Sequence, residues 1–222
     1  MRSGAARIAL ALTLLACSSI GISADTIRVV DTRTIDGPPR APVPSGTLEL
    51  KLYTHIFNGS HWTPEQVEKA VLGSAQLLAQ CGIAVTGAEL RVIEAPPEYL
   101  YYDTPVSREL LRHLKTPRPA VFFVEDTHAD PAFDAEAIGL ANARRRPELA
   151  NTVWVARGAR DLPYALAHEL VHVLSDSGAH TTKAGNLMRD ETAPGNSRLD
   201  AAQCERMRVH GEANGLLRRA KP

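Results

Sequence analysis

One stretch constrains this chain more than any other. From Tyr164 to Leu174 it reads Tyr-Ala-Leu-Ala-His-Glu-Leu-Val-His-Val-Leu. Asp161 and Pro163 just before it suit a helix cap and first turn. Past that turn the only ionisable side chains are His168, Glu169 and His172. A helix that is apolar all round is a buried helix. Polar groups in a core cost several kcal/mol unless a partner satisfies them. The chain must therefore wrap a core around this helix and supply a partner for two imidazoles and a carboxylate.

The spacing says which partner. His168 and His172 stand four apart, on one face, with Cβ atoms about 6 Å apart. Two imidazoles so placed converge on one Zn²⁺ at about 2.0–2.1 Å. Glu169 turns its carboxylate beside such an ion, where it can take a proton from water. Ala165 and Ser175 flank the histidines on that face and are small enough to leave room. A catalytic zinc takes three protein ligands and keeps one position open. His180 is the candidate for the third. The sequence turns polar at Ser175-Asp176-Ser177, and Gly178 can adopt the positive φ that reverses the chain. Asp176 and Glu191 are the competing candidates.

His168-Glu169-Leu170-Val171-His172, then His180, then Asn186-Leu187-Met188, resembles the metzincin zinc metallopeptidases, in a matrixin-like form. The specific part of the resemblance covers residues 161–188. It implies that Met188 sits in a tight turn beneath the zinc and that a C-terminal helix closes the domain. It also implies a peptide or protein substrate lying extended along an edge strand, here Ala137 to Ala143. The chain departs from the family in three places. Ser175 stands at the Gly of HExxHxxGxxH, and His180 comes two residues later than that motif places its third His. Asp190 stands two after Met188, where astacin-like and serralysin-like members carry Tyr.

Elsewhere the pattern is that of an α/β domain. Thr47 to Phe57 alternates as a strand, with Leu48, Leu50 and Leu52 on one face. Thr63-Pro64-Glu65-Gln66 opens a helix with a capping box, and Gly82 suits its left-handed end. Ile83–Val85 and Glu89–Ile93 read as strands, Ser107–Leu114 as a short helix. Val121-Phe122-Phe123-Val124 reads as a strand buried on both faces. Ala137–Ala141 and Thr152–Val155 read as further strands, and Ser197 to Leu217 as a last helix capped by Ser197. The expected fold is a mixed, twisted sheet of about five strands with a first helix, a buried active-site helix and a C-terminal helix. His55, His61, His113, His128 and His210 show no ligand spacing, and Arg144-Arg145-Arg146 reads as a solvated loop.

The first residues stand apart. Arg2 and Arg7 precede the apolar stretch Ile8 to Ala16, too short to span a bilayer. Residues 1–24 read as an export signal ending at Ile22-Ser23-Ala24. Leu14-Leu15-Ala16-Cys17 gives the competing reading, a lipoprotein signal with Cys17 carrying an outer-membrane lipid anchor. Residues 25–46, with Pro38, Pro39, Pro42 and Pro44, read as an arm or tether before a domain over 47–222. Basic and acidic residues balance at 25 each; without Arg2 and Arg7 the net is −2. That balance argues against a nucleic-acid partner, and a monomer is expected. Beyond Cys17, Cys81 and Cys204 remain, which in an oxidising compartment suggests one disulfide; two separate buried thiols are the alternative.

The resulting expectation is an exported zinc endopeptidase, in the periplasm, membrane-anchored or secreted, with His168, His172 and His180 on the metal and Glu169 as general base. The alternatives are a metal-binding envelope lipoprotein without turnover and a hydrolase of a non-peptide amide.

Overall fold

The structure is a computed structural model that describes residues 27–38 and 46–220. The export signal, Cys17 and most of the proline-rich run lie outside the described residues.

The first described strand, β1 (Arg28–Asp36), falls where the sequence reads as a tether. Only Ile35 of its nine residues is buried, so no alternating apolar pattern marks it. It is held by its backbone, antiparallel to β3 (Ile83–Glu94). Between them in sequence come β2 (Leu48–Phe57) and α1 (Pro64–Ala79). The Thr63–Gln66 capping box forms as expected, and Gly82 takes φ +67° after the helix. The two strands expected within 83–93 are one. β3 runs through, and Thr86 is the extra residue of a bulge where its register to β2 shifts.

Then follow β4 (Tyr101–Tyr102), α2 (Thr104–Leu114), β5 (Ala120–Val124), β6 (Asp126–Thr127), β7 (Ala135–Ile138) and β8 (Thr152–Ala156). The chain ends with α3 (Leu162–Ser175), α4 (Ala201–Ala213) and β9 (Arg218–Arg219). The main sheet is ordered β1-β3-β2-β5-β8-β7, with β9 paired to the start of β2. Its centre is parallel and its outer strands β1 and β7 are antiparallel. The fold is thus the expected mixed α/β sheet, enlarged by β1 and β9. β4 and β6 form a separate small sheet.

Both faces of the sheet are covered. β5 sends Val121 and Phe123 into one core and Phe122 and Val124 into the other. The second core stacks Phe122 on Trp154, ring centroids 4.5 Å apart, under α2. The first holds α1 and α3 against the sheet, with α4 packed on α3. Within it α3 is buried from Ala165 to Ser175, as its all-round apolar sequence requires. Helices α1 and α3 approach closely at Gly73, where an added Cβ would stand 2.5 Å from the Pro163 side chain.

Three local expectations are corrected. Asp161 stands before α3 with φ 50° but makes no side-chain cap bond. α4 begins at Ala201, not near Ser197, because Asp200 and Gln203 make the better capping box. The edge strand β7 ends at Ile138; Ala141–Ala143 is a 3₁₀ turn and offers no strand edge. Cys81, just past α1, and Cys204 on α4 stand at disulfide distance, with Cα atoms 4.9 Å apart. Among the described residues no helix is long and apolar enough to cross a membrane.

Candidate metal centre

Three imidazoles meet at the open side of α3. The Nε2 atoms of His168 and His172 are 3.0 Å apart, and each is 3.1 Å from Nε2 of His180. Four apart on a regular helix, the first two cannot avoid each other. His180 arrives from the loop after α3, so the structure brings together all three histidines singled out from sequence. The chain reversal falls on Asp176, at φ 46°, and not on Gly178.

Each Nδ1 is already engaged. His168 donates to the Leu187 carbonyl at 2.8 Å, and His172 to the Ser177 carbonyl at 2.6 Å. His180 Nδ1 faces Asp190 Oδ1 at 2.9 Å. Carbonyl oxygens only accept, so the hydrogen is assigned to Nδ1 and the lone pair to Nε2. Burial pushes the His172 imidazole down to about 4 and holds His168 below the usual range, the backbone bonds opposing. Both are therefore neutral near pH 7, the form that binds metal. Tetrahedral nitrogen ligands at about 2.0–2.1 Å stand roughly 3.3 Å from one another. Three convergent Nε2 atoms at 3.0–3.1 Å fit such an ion with little adjustment.

Glu169 is buried beside them. Burial first, then the nearby Glu136 carboxylate, push it up to about 8, while a bond from the Ala137 backbone opposes the rise. A bound dication favours the ionised form and works against the rise. The centre opens into a cleft of about 940 Å³, lined by Glu136 and Ala137 of β7 and by Asp190 and Glu191 among others. Burial also raises the Glu136 carboxyl, opposed by Arg146 and His180.

The remaining candidates go elsewhere. Asp176 Oδ1 accepts the Ala141 backbone N–H at 2.8 Å. Glu191 lines the cleft, outside the histidine cluster. Ala165 lines the cleft, but Ser175 does not; its hydroxyl donates back to the Val171 carbonyl at 2.6 Å. Met188 is buried in a turn, donating its N–H to Asn186 Oδ1 at 2.8 Å. The Asn186 amide in turn pairs with Gln203 of α4 at 2.9 and 3.1 Å. His55 is a core residue between Val121 and Thr116. Asp190 is the site residue whose role the sequence does not disclose. Its one signal is a carboxylate two residues after Met188, and only the folded turn aims it at His180.

No protein-family model matches the chain, and no curated protein sequence matches it. Its fold is similar to the crystal structure of metalloproteinase-II from Bacteroides fragilis, with a TM-score of 0.52 and 16% sequence identity. The match covers 79% of this chain and 56% of that one. At that identity the likeness speaks for the fold alone: a mixed α/β sheet with helices packed on it.

Proposed function

We propose that this chain is an exported, zinc-dependent endopeptidase. The observation that carries the reading is the convergence of three Nε2 lone pairs beside one buried carboxylate, in a cleft flanked by a sheet edge. Export rests on the sequence of residues 1–24, and the Cys81–Cys204 pair suits an oxidising compartment.

His168, His172 and His180 would hold the ion. When bound, zinc supplies a Lewis acid for the scissile carbonyl and acidifies a water at the open position. The chain's own groups do the rest. The edge of β7, Ala135–Ile138, offers backbone pairing to an extended peptide and sets its register. Glu169, ionised beside the cation, takes a proton as the water oxygen bonds to the carbonyl carbon. It then hands that proton to the leaving amine nitrogen as the C–N bond breaks.

The test combines elemental analysis with turnover of a general protein substrate, with and without a chelator. About one zinc per chain and chelator-sensitive cleavage support the reading. Zinc without cleavage points to a binding protein. Cleavage of small amides but never of peptides points to a non-peptide amidohydrolase.

A further inference from the structure

The three histidines are not held alike. His168 and His172 stand on a buried helix, and each has a backbone carbonyl as its Nδ1 acceptor. His180 comes from a loop without regular structure, and its side chain is 38% exposed. A free loop imidazole has several rotamers, and choosing one costs entropy. What faces its Nδ1 is a carboxylate, Asp190 Oδ1 at 2.9 Å.

The carboxylate is delivered by structure that is itself fixed. The turn before it is buried at Asn186, Leu187 and Met188 and clasped to α4 through the Asn186–Gln203 amide pair. The same turn gives the Leu187 carbonyl to His168, and the Met188 carbonyl accepts the Thr181 N–H, next to His180, at 2.8 Å. One short segment, 186–190, thereby contacts two of the three imidazoles and the backbone beside one of them. The carboxylate's own side chain is 87% exposed, so it contributes no core packing.

Resting on the zinc reading above, we infer that Asp190 is the positioning residue of the third ligand. It faces His180 Nδ1 at 2.9 Å and fixes the ring with Nε2 toward His168 and His172. Outer carboxylates on metal-binding histidines act in this way, and losing one typically costs about 10–100-fold in metal affinity.

The test is zinc affinity, measured by competition with a chromogenic chelator, for the full chain and for Asp190→Ala and Asp190→Asn. The alanine variant is expected to lose about 10–100-fold in affinity, mostly through faster zinc release. The asparagine variant keeps an acceptor oxygen without the charge and should lose less. In both, cobalt substituted for zinc should show an altered visible absorption band, because the ligand field of the third nitrogen changes. Thermal unfolding of the metal-free proteins should be unchanged, the side chain being exposed. Wild-type zinc affinity in Asp190→Ala, within a factor of two, overturns the inference. So does a loss of affinity matched by a lower melting temperature of the metal-free variant. If the wild-type chain itself binds no zinc, the zinc reading fails and this inference with it. If the wild type binds zinc and cleaves while Asp190→Ala is unaltered, only this inference fails.

Discussion

Asp176, the C-cap of the histidine helix, is bonded to Ala141, which opens the 3₁₀ turn three residues past the end of β7, through a 2.8 Å contact from the Ala141 N–H to Oδ1. The end of α3 and the rim of the cleft are thus one mechanical unit. Asp176 also carries the left-handed backbone, φ 46°, that turns the chain toward His180. Asp tolerates this conformation better than most residues. Asp176→Ala removes both contributions and should destabilise the fold by about 1–2 kcal/mol. Asp176→Gly keeps the turn and loses only the bond, so it should be less harmful. Urea unfolding of the two variants gives the order, and faster amide exchange at Ala141 in both locates the effect.

Replacing His168 or His172 by Ala should remove most of the bound zinc, because it leaves two of the three convergent nitrogens. Elemental analysis after dialysis decides this. Full zinc in either variant would mean that the ion sits elsewhere.

Glu169→Ala should retain zinc and lower turnover by about 10²–10⁴, the usual worth of a positioned general base. A variant that keeps its zinc and cleaves at the wild-type rate would remove Glu169 from the mechanism.

Acid should weaken the fold through His55. Burial is the chief cause that pushes this imidazole down to about 3, and the charges of Arg91 and Arg118 add to it. Unfolded, it titrates near 6.5. Between those values the unfolded chain takes a proton that the folded chain refuses, so stability falls as pH drops below about 6.5. The loss is about 1.4 kcal/mol per pH unit for one such group. His55→Gln should show a shallower decline than wild type in urea midpoints from pH 7 to 4. Identical slopes would place the acid sensitivity in other groups.

Joining Cys81 to Cys204 closes a loop across a sequence separation of 123. In the chain-entropy account such a cross-link contributes about 4–5 kcal/mol. A Cys81→Ser, Cys204→Ser double variant should unfold at correspondingly lower denaturant, and reduction of the wild type should bring it to the same midpoint.

What the sequence discloses, and what it hides, divides along the range of the interactions. α3 is legible because its evidence is local: an apolar run on every face, Pro163 at the start, and two histidines one turn apart. The buried β5 and the Thr63 capping box are legible for the same reason. β1 is not, since seven exposed residues precede Ile35 and its stability comes from pairing with a strand more than fifty residues away. The exit of β7 into a 3₁₀ turn is hidden because Asp176, far along the chain, sets it. Asp190 is hidden likewise: whether its carboxylate meets water or His180 depends on how the Asn186 turn is clasped to α4.

The close approach of α1 to α3 at Gly73 gives the first helix leverage over chemistry it never touches. Gly73 meets Pro163 one and a half turns before His168. Even a methyl group there would have to wedge the two helices apart, tilting the axis on which two imidazoles and a carboxylate are mounted. A well-packed interior does not absorb such a wedge locally. Tolerance to substitution in this protein is therefore not a matter of distance from the cleft. A glycine hydrogen on the far side of a helix pair is fixed by the geometry of the centre.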